Sequence, residues 1–142
     1  MMKRSVAMAT LLLGLPALAA AHVGVRPRES KPGAEERYSV RVPTEGAVTT
    51  TSVRLEIPDG VTVLEVEKMG GETFAVERQG DRIVAITWKR NIPPKESADF
   101  FFKARNPQAT EIAWKAHQHF ADGTVTDWVE PVGGKRPAQS RS

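Results

Sequence analysis

Apolar and polar residues alternate in short runs along most of this chain. In the first clear run, Tyr38, Val40 and Val42 alternate with polar residues until Pro43 ends the run. A period of two is the pattern of a half-buried β-strand, and no long stretch carries the 3.6-residue period of an amphipathic helix. Similar strand-like runs cover residues 53–57, 61–66, 74–78, 83–88, 99–104, 112–120 and 125–129.

Glycine, proline and aspartate separate these runs, as expected of tight turns. A chain with about seven to nine strands at this spacing is predicted to be all-β, with the strands forming an antiparallel β-sandwich. The run 83–88 is apolar on both faces. We therefore expect it to lie in the centre of a sheet.

The last two runs flank Asp122-Gly123, a strong signal for a two-residue hairpin loop. That loop would pair His119 with Thr126 and His117 with Trp128. The register therefore predicts that these two histidines, Thr126 and Trp128 share one face of a sheet.

Residues 1–21 have the composition of a secretory signal peptide. Lys3 and Arg4 precede a short apolar core, and Ala19-Ala20-Ala21 forms a small-residue cleavage site. The apolar core is too short to predict a membrane span. We therefore expect a periplasmic or secreted protein without a membrane anchor. Its predicted parts are a cleaved leader over 1–21, a β-sandwich domain over 22–132 and a flexible polar tail over 133–142.

Composition excludes several kinds of site. The chain has no cysteine, which excludes disulfides, thiolate zinc sites, iron–sulfur clusters and a blue-copper thiolate.

Charge and motifs exclude further classes of function. The formal net charge of the full chain is +3, and removal of the leader with Lys3 and Arg4 lowers it by two. Basic and acidic residues are interspersed, so nucleic acid is not an expected partner. The sequence also carries none of the motifs of a serine hydrolase or a phosphate-binding loop.

His22 would be the first residue of the mature chain. Its free α-amine and its Nδ1 atom can then close one chelate ring on a metal ion, and two nitrogen donors suit Cu(II). Binding should release protons and weaken in acid, because the amine must be deprotonated. The alternative is that His22 is merely the residue that follows the cleavage site.

Glu56, His117 and His119 are further candidates whose meaning depends on their surroundings. Glu56 points away from the core in its run, as a solvated carboxylate does, and becomes interesting if the chain start lies beside it. His117 and His119 stand two residues apart on one strand. Such a pair can hold a metal ion or can simply be polar surface residues.

Six segments carry a resemblance to a known family: Ala21–Pro27 at the predicted start of the mature chain, Gly33-Ala34, Tyr38–Pro43, Thr51–Val61, Trp88–Pro94 and Asp122–Trp128. Together they resemble the YcnI-like family of bacterial extracytoplasmic copper proteins. The resemblance implies an immunoglobulin-like or cupredoxin-like β-sandwich that binds one Cu(II) through a mono-histidine brace. Many relatives end in a hydrophobic membrane anchor, which this sequence lacks.

Carried over residue by residue, the resemblance implies a metal site in this chain. His22 would supply its amine and Nδ1, Glu56 would supply a carboxylate oxygen, and Trp128 would lie close to the metal and shield it. His117 and His119 do not match a family feature, and they are candidate auxiliary ligands.

The function implied by the resemblance is copper acquisition, buffering or delivery to a membrane transporter or another carrier, without catalytic turnover. One alternative is a copper oxygenase in which His117 or His119 completes a two-histidine brace with His22. A second alternative is a metal-free sandwich that binds a protein partner through a sheet edge.

Overall fold

Alternating apolar side chains from two antiparallel sheets face each other in the computed structural model, which describes residues 22–130. The first sheet has the strand order β1-β2-β7-β4 and the second has the order β5-β6-β3-β8-β9. The strands are β1 (Gly24–Arg26), β2 (Glu35–Pro43), β3 (Thr50–Glu56), β4 (Thr62–Val66), β5 (Thr73–Gln79), β6 (Arg82–Ile92), β7 (Ser97–Arg105), β8 (Lys115–Phe120) and β9 (Val125–Val129).

This arrangement confirms the predicted all-β antiparallel sandwich. The run 83–88 lies in β6, which is paired on both sides, as its apolar faces predict. The strand β1 was missed, because three residues are too few to show an alternating pattern. The predicted signal peptide and polar tail lie outside the described residues.

Aromatic side chains join the two sheets in the core. Trp88 of β6 stacks on Phe100 of β7, with ring centroids 5.4 Å apart. Tyr38 of β2 contacts Phe102 at 5.4 Å and Trp114 at 5.2 Å. Each of these rings is at most 2% exposed. Burial of such large apolar surfaces is the main stabilising contribution to a sandwich of this kind.

The last hairpin turns through three residues rather than two. The Phe120 N–H donates to the Thr124 carbonyl at 3.0 Å, and the Gly123 N–H donates to the Phe120 carbonyl at 3.0 Å. Gly123 has a φ of +91°, in the left-handed region where glycine is favoured. A three-residue loop that ends in such a glycine is a common alternative to the two-residue turn.

The longer turn shifts the register between β8 and β9 by one residue. His117 pairs with Asp127, His119 pairs with Val125, and Ala116 pairs with Trp128. Because successive side chains of a strand alternate between faces, Trp128 lies on the opposite face of the sheet from both histidines. The predicted pairs that the structure corrects are His117 with Trp128 and His119 with Thr126.

The edge strands β1 and β9 belong to different sheets and meet on one side of the sandwich. The Val25 N–H of β1 donates to Glu130 Oε2 at 3.3 Å, and Glu130 directly follows β9. This contact brings the first and last described segments of the chain together.

A buried asparagine anchors the loop that follows β1. The Asn106 Oδ1 atom accepts a hydrogen bond from the Tyr38 hydroxyl, and Nδ2 donates to Ser30 Oγ at 2.9 Å and to the Lys31 carbonyl at 2.8 Å. Burial raises the pKa of Tyr38 to about 12, so its hydroxyl stays protonated as a donor. Asn106 therefore ties the loop to both β2 and the end of β7.

We expect Asn106→Ala to lower the free energy of unfolding by about 1–3 kcal/mol, because it leaves the buried Tyr38 hydroxyl without its acceptor. Urea denaturation followed by circular dichroism measures this change. Asn91→Ala, at an exposed position of β6, is the matched control. Equal stabilities of the two variants would contradict the anchoring role.

Candidate metal centre

His22 lies just before β1 and contacts Trp128 of β9. The two ring centroids are 5.2 Å apart and the ring planes meet at 61°, an edge-to-face arrangement. His22 is exposed and Trp128 is half-buried against the core. The structure therefore brings together two of the predicted site residues, at the side of the sandwich where β1 meets β9.

These two rings form part of a cleft of about 330 Å³. Its lining combines an apolar wall with one cationic and one anionic side chain. The lining residues are His22, Val23, Arg28, Trp128, Val129 and Glu130.

Gln118 holds the indole of Trp128 from the interior. Its Oε1 atom accepts the Trp128 Nε1–H at 2.9 Å. Its Nε2 atom donates to the Pro43 carbonyl at 2.9 Å and to Thr50 Oγ1 at 2.8 Å. Gln118 is only 2% exposed, and these bonds satisfy both ends of its amide. The indole is thus fixed in its orientation toward His22.

Sequence reasoning missed Gln118, although a signal was present. Trp114, Ala116 and Gln118 occupy alternate positions and are all buried. An amide on the apolar face of a strand must find a hydrogen-bond partner, and a tryptophan N–H on the neighbouring strand is a suitable one. The error of one residue in the register of β9 concealed this pair.

Glu56, His117 and Asp127 form a second cluster on the outer face of the same sheet. His117 Nδ1 lies 2.6 Å from Asp127 Oδ1, and His117 Nε2 lies 2.6 Å from Glu56 Oε2. The hydrogen bonds to Asp127 and to Glu56 raise the pKa of His117 above its usual value of 6.5. A carboxylate at each ring nitrogen favours the imidazolium form, which has two donors.

Arg54 extends this cluster along the outer face. It donates to Glu77 through Nε at 2.7 Å and through Nη2 at 3.0 Å, and its Nη1 lies 3.8 Å from Glu56 Oε2. Arg54 also stands opposite His117 in the pairing of β3 with β8. The Glu56 carboxylate thus contacts both Arg54 and His117.

The predicted site residues therefore fall into two groups. His22 contacts Trp128, whereas Glu56 contacts His117 on the outer face. His119 stands opposite Ser52 and Val125 in its sheet. Glu56, His117 and Asp127 contact one another through hydrogen bonds, and within residues 22–130 no group of three or more histidine, aspartate or glutamate side chains has an arrangement that could hold a metal ion. The pairing of His22 with Glu56 on one metal stays a prediction.

Comparison with known proteins gives matches over most of the chain. The model of a family described as a domain of unknown function (DUF1775) matches residues 22–141. The copper-binding protein CutI of Bacillus subtilis (strain 168) is 36% identical over 122 residues, which cover 83% of this chain and 60% of CutI. The present chain thus corresponds to about three fifths of that relative's length.

A solved structure confirms the immunoglobulin-like class of the sandwich. The crystal structure of an uncharacterized protein from Nocardia farcinica, described as having an immunoglobulin-like fold, superposes with a TM-score of 0.68 at 25% identity. The match covers 84% of this chain and 94% of that one.

The described part of the chain, residues 22–130, contains no helix with the length and hydrophobicity of a membrane span.

We expect Gln118→Leu to lower the free energy of unfolding by about 1–3 kcal/mol and to shift the tryptophan emission. The substitution removes the acceptor of the Trp128 N–H and the donor to Pro43. Urea denaturation and fluorescence spectroscopy measure the two effects. Gln79→Leu, at an exposed position of β5, is the control. A Gln118→Leu variant with the stability and emission of the control would refute this role.

We expect His117 to stabilise the metal-free fold in a pH-dependent way. Its pKa is raised on folding, so its contribution is complete below about pH 6.5 and is lost as the pH rises through the folded-state pKa. The difference in unfolding free energy between the wild type and His117→Gln should therefore shrink on going from acid to alkaline pH. Urea titrations across that range test this, with His119→Gln as the control. A difference that does not vary with pH would be the contrary result.

Proposed function

This chain belongs to the YcnI-like family, whose domain is DUF1775, and from that premise we propose that it is an extracytoplasmic Cu(II)-binding protein. The copper would be held by a mono-histidine brace at His22, with one ion per chain. The protein would serve copper acquisition, buffering or delivery to a membrane transporter or another copper carrier. It would act by binding and release, without catalytic turnover.

The observation that carries this proposal is the contact between His22 and Trp128 in the cleft between β1 and β9. The family match begins at His22, the residue that the predicted cleavage would make the chain start. The name of CutI adds that a relative 36% identical over the matched region binds copper. The first two observations point to His22, and the third supports copper as the bound ion.

The donor atoms of His22 fit copper in its oxidised state. The α-amine and Nδ1 are nitrogen donors, which suit Cu(II). The Trp128 ring would cover one side of the ion and keep water from it. The chain has no cysteine to offer to Cu(I), which prefers softer ligands. Reduction of the bound ion would therefore weaken its binding and promote release.

The family resemblance assigns the carboxylate ligand to Glu56. Its Oε2 atom lies 2.6 Å from His117 Nε2 on the outer face of the second sheet. Glu56 is not among the residues that line the cleft with His22. His117 and His119, as auxiliary ligands, would form a separate and weaker site on that outer face.

The copper oxygenase alternative gains no support from the described contacts. A two-histidine brace needs a second imidazole beside His22, whereas His117 and His119 lie on the face of the sheet opposite Trp128. We therefore retain copper binding without turnover as the proposed function.

We expect the mature protein to bind one equivalent of Cu(II) in a nitrogen/oxygen site. A version with one alanine added ahead of His22 should lose or reshape this site, because the α-amine then moves away from the imidazole. Affinity should also fall in acid, since the amine has an unperturbed pKa near 8 and must lose its proton to bind. Electron paramagnetic resonance (EPR) of both proteins, after intact mass confirms the first residue, provides the measurement.

A His119→Ala variant is the control, because it removes an imidazole that lies on the other face from Trp128. Identical spectra from the mature protein and from the alanine-extended version would rule out the brace. A failure of both to bind copper would favour the metal-free partner-binding alternative.

A further inference from the structure

Glu130 is an acidic side chain held beside the first described residues, where the mature chain is predicted to begin. Its N–H donates to the Trp114 carbonyl at 3.0 Å, which fixes its backbone just beyond β9. Its Oε2 atom accepts the Val25 N–H at 3.3 Å. A Cβ atom built on Gly24 would lie 3.9 Å from the same oxygen. The carboxylate therefore lies against the backbone of β1, within three residues of His22.

Glu130 shares the cleft with both rings of the candidate metal centre. It follows Trp128 by two residues, so in an extended chain the two side chains point to the same side. Both line the cleft together with His22. By contrast, Glu56 is absent from the lining of this cleft, and its carboxylate contacts His117 and Arg54 on the outer face.

We infer that Glu130, rather than Glu56, supplies the carboxylate ligand to copper held by His22, an inference that rests on the proposed function. An oxygen donor from Glu130 completes a set of two nitrogens and one oxygen, which suits Cu(II). No other carboxylate among the described residues lines this cleft.

The charge of the cleft supports the same assignment. Arg28 lines the cleft as a cation and opposes the approach of a divalent metal ion. The Glu130 carboxylate offsets that charge. Its removal would leave the cleft with a net positive charge before copper arrives, so the variant should lose affinity through electrostatics as well as through the missing ligand.

The test compares Glu130→Gln with Glu56→Gln in the mature protein. Both substitutions remove one negative charge and keep the size of the side chain, and glutamine at position 130 retains an oxygen that can accept the Val25 N–H. Cu(II) affinity is measured by competition with a chelator, and the ligand set is read from the EPR spectrum. We expect Glu130→Gln to weaken binding by at least about tenfold and to change the copper hyperfine splitting, and Glu56→Gln to match the wild type.

Two further proteins keep the outcomes distinct. The alanine-extended version tests the brace itself: if it binds like the wild type, or if the wild type binds no copper, both the proposed function and the role of Glu130 are overturned. If the brace holds and Glu130→Gln leaves affinity and spectrum unchanged, only the inference fails. If Glu56→Gln alone weakens binding, the carboxylate ligand is Glu56.

Glu130→Asp retains the negative charge and serves as a second test if Glu130→Gln proves unstable in urea. A changed EPR spectrum of Glu130→Asp then supports the ligand role of Glu130, and an unchanged spectrum overturns it.

Discussion

The hydrogen bond from the Trp128 indole to Gln118 is the interaction on which the candidate site depends. An indole N–H that turns inward at a sheet edge needs an acceptor, and Gln118 provides one from the buried face of β8. The same amide is held in turn by Pro43 and Thr50. The orientation of the ring beside His22 is therefore set by contacts that reach across the sandwich, from β9 through β8 to the end of β2.

The second sheet separates two kinds of chemistry by its two faces. The inner face carries Trp128 toward the cleft, and the outer face carries the ionic cluster of Glu56, His117 and Asp127. The two environments lie on the same strands, one residue apart in register. Carboxylates that look equivalent in the sequence thus have different neighbours, and only the structure distinguishes Glu56 from Glu130.

Alternation of apolar residues was sufficient to predict the sandwich and eight of its strands, because the buried face of each strand repeats every second residue. It could not determine the length of the last turn, since Asp122-Gly123 fits both a two-residue and a three-residue loop. The third loop residue places Trp128 on the face of the sheet opposite the two histidines. The contact between Trp128 and Gln118 was therefore not predicted. The proximity of His22 to Trp128 came from the family resemblance, and Glu130 was missed because its contact with Val25 joins opposite ends of the domain.

The cleft is built only from the first and last described segments, residues 22–28 and 128–130. The two segments are not paired as strands, and each is positioned by a neighbour in sequence, because β1 pairs with β2 and β9 pairs with β8. The hydrogen bond from the Val25 N–H to Glu130 Oε2 then joins them across the two sheets. A chain that ends before Trp128 lacks one wall of this cleft. The cleft therefore forms only once the last strand has joined its sheet.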